Sequence, residues 1–175
     1  AALTSHPGVD KIAFTGGEAS GRLIAKGAAD TFKRLTLELG GKSAQVIFED
    51  ANLENAVKGV VSGIFAATGQ TCIAGSRVII HESLHDEFVA QFTAMAKQAR
   101  MGDPLDPDTQ VGPVTTRPQF ARILDCIGLA KSGGAKLVMG GTRATRPECG
   151  EGLFIEPTVF TNVTNEMEIA QTEVF

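Results

Sequence analysis

The sequence predicts an α/β protein with a mainly parallel sheet covered by helices. Short apolar segments of strand length, such as 35–39, 44–48 and 77–81, alternate with longer segments. In the longer segments, of which 53–65 is the clearest, apolar residues recur at helical spacing. Strands that alternate with helices favour parallel pairing, because a parallel pair needs a long crossover connection.

The first predicted strand covers 11–15, and Gly16 and Gly17 end it. A helix is predicted over 19–30, with three residues facing inward: Leu23, Ile24 and Ala28. A strand, a glycine turn and a helix N-terminus form a place suited to an anion, because unpaired N–H groups and the helix dipole point at it. The motif lacks the full G-x-G-x-x-G pattern, so an ordinary strand-to-helix turn stays open as the alternative.

The next segment, 35–39, alternates between leucine and polar residues, which is typical of a half-buried strand. Its leucines share one face, while Thr36 and Glu38 share the other. A carboxylate that points from such a strand toward a cleft is a candidate general base. The alternative is a solvated glutamate on an edge strand.

A helix buried along one side is predicted between the strands at 44–48 and 77–81. We expect Asp50 or Asn52 to cap its N-terminus. Its apolar stripe consists of Leu53, Ala56, Val57, Val60, Val61, Ile64 and Phe65. The helix leads the chain into the glycine-flanked segment that holds Cys72.

Ser83 and Asp86 resemble a capping box for the next helix. The core positions of that helix are Leu84, Phe88, Phe92, Met95 and Ala99. A loop rich in Pro, Asp and Gly follows over 102–118, where turns are favoured over a metal site. The remaining predictions are a helix containing Phe120 and ended by Gly133-Gly134, strands at 136–139 and 157–163, a polar loop at 142–151 and a helical turn at 167–170.

Composition excludes several classes of function. The net charge of −4 and the lack of a basic cluster argue against a nucleic-acid partner. No apolar run reaches the length of a membrane span. Three cysteines without a C-x-x-C pair and three scattered histidines predict no metal site, and reduced thiols favour a cytoplasmic location. The chain has no tyrosine, which excludes reductases that use tyrosine as the general acid.

Cys72 lies between Gly69 and Gly75. Glycines allow the backbone to approach a substrate closely, and a thiolate is a strong nucleophile. A buried cysteine that packs as a small apolar residue is the alternative. The presence of the Glu38 carboxylate, one helix earlier in the chain, favours the interpretation of Cys72 as a nucleophile.

Four motifs are spread over essentially the whole chain: Phe14-Thr15-Gly16, Glu38-Leu39-Gly40-Gly41-Lys42, Gly69-Gln70-Thr71-Cys72 and Glu173-Val174-Phe175. Together they resemble the signature of the NAD(P)-dependent aldehyde dehydrogenase superfamily. The resemblance implies oxidation of an aldehyde to a carboxylic acid. Cys72 would be the nucleophile that forms a thiohemiacetal and then a thioester, and Glu38 would be the base for the hydrolytic water. Thr71 and Ile73 would line the aldehyde path.

The resemblance also implies NAD or NADP as cofactor. Its predicted contacts are Gly16, Gly17, Leu39, Gly40, Glu173 and Phe175. Gly17 replaces a serine that is common in relatives, which removes one hydrogen bond to the pyrophosphate and leaves the backbone donors. Lys42 is expected to be structural. The expected partners are a small aldehyde and further copies of the full-length protein in a homo-oligomer.

Residues 1–41 are interpreted as the end of a cofactor-binding domain, and 42–175 as a catalytic domain that is truncated at its C-terminal end. We read the chain as an internal portion of a longer protein and expect the isolated chain to be inactive. Three alternatives stay open: a coenzyme-A-acylating aldehyde dehydrogenase, which generally lacks the hydrolytic glutamate, another thiol enzyme such as a hydrolase, and a non-catalytic protein that keeps the fold.

Overall fold

The computed structural model describes residues 2–175. The chain divides into two compact units, of which the first ends at Gly41 and the second is Lys42–Phe175. The helices are α1 (Ala2–Ser5), α2 (Glu18–Ala29), α3 (Leu53–Phe65), α4 (His85–Ala96), α5 (Arg117–Ser132) and α6 (Glu168–Gln171). The strands are β1 (Lys11–Thr15), β2 (Arg34–Glu38), β3 (Ala44–Ile47), β4 (Arg77–Ile80), β5 (Lys136–Met139) and β6 (Val159–Thr161). Short 3₁₀ turns lie at Ala66–Gly69, Glu82–Leu84 and Pro147–Cys149.

In the first unit, β1 and β2 are parallel and α2 is the crossover between them. The register places Thr15 opposite Glu38, so both strands end at the same edge. Helix α2 buries Gly21 and Ala28. The prediction that Leu23 faces inward is wrong, because its side chain is 71% exposed. Leu23 lies about 100° around the helix axis from Ile24, which is half-buried with the inward face.

The first half of the second unit repeats this arrangement. Strands β3 and β4 are parallel, with α3 as their crossover and α4 packed against α3. The core consists of Ile47, Val57, Val60, Phe88 and Phe92. The phenyl rings of Phe88 and Phe92 stack with centroids 5.6 Å apart, and Phe65 stacks on Phe92 at 6.1 Å. The predicted stripe of α3 is therefore confirmed. For the next helix, the core contains Leu84, Phe88, Phe92 and Met95 as predicted, whereas Ala99 lies beyond the end of α4 and packs against a separate core around Met101.

Of the two predicted helix caps, the one at Asn52 is confirmed and the one at Ser83 is not. Asn52 caps α3, because its side chain accepts a hydrogen bond from the Asn55 N–H at 2.9 Å. The predicted capping box at Ser83 is wrong. The ring of His81 caps a 3₁₀ turn by accepting from the Ser83 N–H, and this turn delays the start of α4 until His85.

The second half of the second unit pairs β5 with β6 in the antiparallel sense. A separate small core of Met101, Val111, Ala144, Cys149 and Phe154 lies under the loops. Arg146 forms a bidentate ion pair with Glu156, with nitrogen–oxygen distances of 3.0 and 2.6 Å, and donates to the Ala99 carbonyl at 3.0 Å. Within residues 2–175, two of the three strand pairs are parallel, which confirms a mainly parallel α/β fold.

Candidate active site

The Cys72 loop connects the end of α3 to β4. Its thiol is exposed, whereas the backbone just beyond it at Ala74 and Gly75 is buried. The loop begins with a tight kink: Ala67 and Thr68 have φ values of 49° and 59°, in the left-handed region. Left-handed backbone at a residue other than glycine costs about 1–3 kcal/mol, so it persists only where surrounding contacts impose it.

The base of this loop is held by Gln45 of β3. The Gln45 side-chain amide donates to the Gly75 carbonyl at 2.8 Å, and the Gly75 N–H donates to the Gly63 carbonyl at 3.0 Å. A Cβ on Gly63 would lie 2.8 Å from the Gln45 side-chain oxygen, and a Cβ on Gly75 would collide with the same side chain. Both glycines are needed for the Gln45 amide to reach the loop. Neither Gln45 nor Gly63 carries a local sequence signal.

The two predicted residues beside Cys72 differ in exposure. Thr71 is half-buried, and its carbonyl accepts a hydrogen bond from the Ala74 N–H at 3.2 Å, which closes a turn around Cys72. Ile73 is 80% exposed. An exposed isoleucine therefore places apolar surface beside the exposed Cys72.

Glu38 is the last residue of β2, and its carboxylate is exposed. Its backbone carbonyl accepts a hydrogen bond from the Gly16 N–H at 3.0 Å. The structure thus brings together the predicted base and the predicted phosphate turn at one strand edge of the first unit. Glu38 belongs to the first unit and Cys72 to the second.

The phosphate prediction rests on the turn from β1 into α2. Gly17 is the N-cap residue in extended conformation (φ −69°, ψ 150°), and no side chain caps the helix. The first N–H groups of α2 are therefore without a side-chain acceptor, which suits a phosphate. Glu18, in the first turn, is paired with Arg22 one turn later, so its negative charge is compensated.

Leu39 packs closely against α2. A Cβ on Gly21 would lie 2.6 Å from a Leu39 methyl carbon, so only glycine allows this contact. This contact with α2 fixes the position of Leu39, the residue directly after Glu38. The predictions missed Gly21, although a glycine inside an otherwise regular helix is a usable sign of close packing. Gly40, which follows, is exposed and lies outside the strand.

The far end of the chain is held by α5. Arg122 donates to the Glu173 carbonyl at 2.7 Å, and the Gln119 amide donates to the carbonyls of Val174 and Phe175 at 2.6 and 3.2 Å. The Phe175 ring is 42% exposed. These contacts set the backbone that carries both predicted cofactor residues.

Lys42 is half-buried at the start of the second unit. Burial lowers the pKa of its ammonium group; the nearby Cys126 and Glu173 act against this shift and Arg77 adds to it. The Lys42 carbonyl accepts from the Arg77 guanidinium at 2.8 Å. This bond, from a side chain to a backbone oxygen, ties the residue two positions before β3 to the start of β4. It does not use the Lys42 ammonium group, so the structural role of that side chain stays a prediction.

The three thiols have different surroundings. Cys72 is exposed, Cys126 is half-buried on α5, and Cys149 is buried in the small core. Cys149 lies in the predicted loop at 142–151, but the residue is buried there, because its 3₁₀ turn folds the side chain onto Met101 and Phe154. Burial raises the pKa of the Cys149 thiol, which keeps it protonated near neutral pH.

We predict that brief iodoacetamide treatment of the folded full-length protein alkylates Cys72 well before the other two thiols. Alkylation needs an accessible thiolate, and burial removes both accessibility and ionisation at Cys149. Peptide mapping by mass spectrometry after short labelling measures this order. Equal labelling of Cys72 and Cys149 would contradict the assignment.

Across 2–175 no group of three or more His, Cys, Asp or Glu side chains could hold a metal ion. Over the same residues no helix is both long and apolar enough to cross a membrane.

Comparisons with known proteins agree with these observations. The model of the aldehyde dehydrogenase family matches residues 1–175. An aldehyde dehydrogenase of Emericella nidulans is 46% identical over 176 residues, covering 100% of this chain and 35% of that protein. Retinal dehydrogenase 2 of Homo sapiens is 47% identical over 100% of this chain and 33% of that protein.

The fold is similar to a solved NAD⁺ complex of an aldehyde dehydrogenase from Bacillus cereus, with a TM-score of 0.94 and 40% identity. That match covers 99% of this chain and 34% of the solved chain. The chain thus spans about a third of the length of the relatives it matches. With a family match over its full length, this chain belongs to the aldehyde dehydrogenase family.

Proposed function

We propose that the protein containing this chain oxidises an aldehyde to a carboxylic acid, with Cys72 as nucleophile and NAD or NADP as cofactor. One observation carries the proposal: within the family motif, Cys72 is the exposed thiol, on a loop braced at its base. Residues 1–41 would contribute to the cofactor-binding domain and 42–175 to the catalytic domain. The relative solved with NAD⁺ supports the choice of cofactor.

In the first step, the Cys72 thiolate adds to the aldehyde carbonyl carbon. A carbon–sulfur bond forms, and the carbonyl oxygen becomes an oxyanion. Within 2–175 no backbone oxygen accepts the Cys72 N–H, so this group is available to donate to the oxyanion. Donors placed where charge develops in the transition state are commonly the largest single contribution to catalysis.

The residues present fit a nicotinamide dinucleotide. The uncapped N-terminus of α2 behind Gly17 would hold the pyrophosphate, and Leu39 and Gly40 would lie along the nicotinamide. Glu173 and Phe175 would contact the adjoining ribose and ring. When bound, the cofactor supplies the hydride acceptor that oxidises the thiohemiacetal carbon to a thioester.

In the last step, Glu38 takes a proton from a water molecule as its oxygen adds to the thioester carbon. The carbon–sulfur bond breaks, the carboxylic acid leaves, and the Cys72 thiolate is regenerated. An exposed carboxylate at a strand end is reachable by water, which suits this role. The presence of Glu38 favours hydrolysis over transfer of the acyl group to coenzyme A.

The proposal is tested with the full-length protein and a panel of aliphatic and aromatic aldehydes. We expect NAD(P)H and carboxylic acid to form in equal amounts without coenzyme A. NAD(P)H is followed by absorbance and the acid by chromatography. Reduction that requires coenzyme A, with an acyl thioester as the released product, would contradict the proposed hydrolytic reaction.

A further inference from the structure

The Cys72 loop has a second anchor, on the side of the thiol opposite to Gly75. The Gln70 side chain reaches the segment just before α5. Its amide nitrogen donates to the Pro113 carbonyl at 3.2 Å, and its amide oxygen accepts from the N–H and the hydroxyl of Thr115 at 3.0 and 2.9 Å. One side chain thus makes three hydrogen bonds to residues 43–45 positions away.

Thr68 strengthens the same anchor. Its hydroxyl accepts a hydrogen bond from the Gly112 N–H at 3.2 Å. Thr68 is one of the two non-glycine residues with left-handed backbone at the start of the loop. Its contact and those of Gln70 together impose the kink that this backbone requires.

Cys72 therefore lies between two positions of the loop that hydrogen bonds hold in place. On one side the Gly75 backbone is bound by Gln45 and Gly63. On the other side Gln70 is bound to 113–115. Over 71–74 the loop's own backbone forms only local hydrogen bonds in the described part of the chain. The Ala74 N–H donates to the Thr71 carbonyl at 3.2 Å, and the Ala74 carbonyl accepts from the Ser76 N–H at 2.8 Å. The anchors at Gln70 and Gly75 therefore set where the thiol stands.

We propose that Gln70 is a positioning residue for the reaction: it places the Cys72 thiol by holding the loop on 113–115. This inference rests on the proposed function of Cys72 as nucleophile. Gln70 acts through the backbone of the next two residues. A nucleophile displaced by about 1 Å costs about 10²-fold in rate, so a loosened anchor should slow acylation strongly.

The chemistry of the anchor requires glutamine. Its amide presents a donor and an acceptor from one planar group, matched to a carbonyl and to the two donors of Thr115. Asparagine carries the same amide on a chain one methylene shorter, so it cannot reach both partners. Glutamate keeps the acceptor but places an oxygen against the Pro113 carbonyl.

The test compares Gln70→Ala and Gln70→Asn with Gln91→Ala in the full-length protein. Gln91 is a matched control because its amide donates to Glu87 on the exposed surface of α4, away from the Cys72 loop. We expect Gln70→Ala to lower the pre-steady-state rate of acylation about 100-fold, with the Kd for NAD(P) unchanged. We expect a smaller loss in Gln70→Asn and less than a twofold change in Gln91→Ala.

Acylation at the wild-type rate in folded Gln70→Ala would overturn the positioning role. If that variant does not fold, acylation at the wild-type rate in Gln70→Asn would overturn it equally. A parallel fall in NAD(P) affinity and acylation would also contradict it, because it would indicate general damage. The proposed function has a separate test. Turnover retained in Cys72→Ala would contradict it, whatever the result with the Gln70 variants.

Discussion

Changing Cys72→Ala in the full-length protein is expected to abolish aldehyde-dependent NAD(P)H formation. Removing the nucleophile of a covalent mechanism typically lowers kcat by about 10⁶-fold, because no intermediate can form. The thiol is exposed, so its loss should change the free energy of unfolding by no more than about 0.5 kcal/mol. Steady-state kinetics and thermal unfolding measure the two effects separately.

Cys126→Ala is the matched control for this variant. Cys126 is half-buried on α5, outside the loop, so its replacement should leave turnover within a small factor of the wild type. An enzyme that loses activity with Cys126→Ala and keeps it with Cys72→Ala would require a different nucleophile.

The second large effect is expected from Glu38→Gln. Glutamine keeps the size of the side chain but cannot take a proton from water. Thioester formation should continue while hydrolysis slows, so a burst of NAD(P)H equal to the number of active sites precedes a slow steady state. General-base assistance is worth about 10²–10⁴-fold, and kcat should fall by that factor.

Glu54→Gln is the control, because Glu54 is exposed on α3 and its only described ion pair is with Lys58 on the same helix. It should show neither a burst nor a reduced steady state. Unchanged turnover in Glu38→Gln would remove the proposed role of that carboxylate.

The sequence predicted the elements best where a local pattern controlled them. The stripe of α3 and the alternation of β2 each follow from the spacing of apolar residues, and both are present in the structure. The exposure of Cys72 agrees with the glycines on either side of it. In these places the local preference and the packing point to the same conformation.

The predictions fail where contacts between residues far apart in the chain determine which side chains are buried. Cys149 sits in a polar stretch of sequence, yet Met101 and Phe154 bury it. The sequence also carries no signal for the burial of Lys33, whose ammonium group donates to the carbonyls of His6 and Val9 at 2.7 and 2.6 Å. No periodicity within either segment could indicate these contacts.

The hydrogen bonds that hold the Cys72 loop also join residues that are far apart in the chain. Gln70 lies inside a recognisable motif, but its partners at 113–115 come from a proline-rich loop far along the chain. The hydrogen bond from the Gln45 amide to the Gly75 carbonyl likewise joins residues 30 positions apart. The sequence therefore predicts which residues react, while the contacts of Gln45 and Gln70 that hold the loop required the structure.

The most direct measurement of the central claim is mass spectrometry of the full-length Glu38→Gln protein, quenched in acid during the burst with an aldehyde and NAD(P). We expect the protein mass to rise by that of the aldehyde less two hydrogen atoms, which is the acyl group in place of the thiol proton. Peptide mapping should place it on the peptide that contains Cys72. An unmodified Cys72 peptide during the burst, or an acyl group on Cys126 or Cys149, would contradict a covalent mechanism at Cys72.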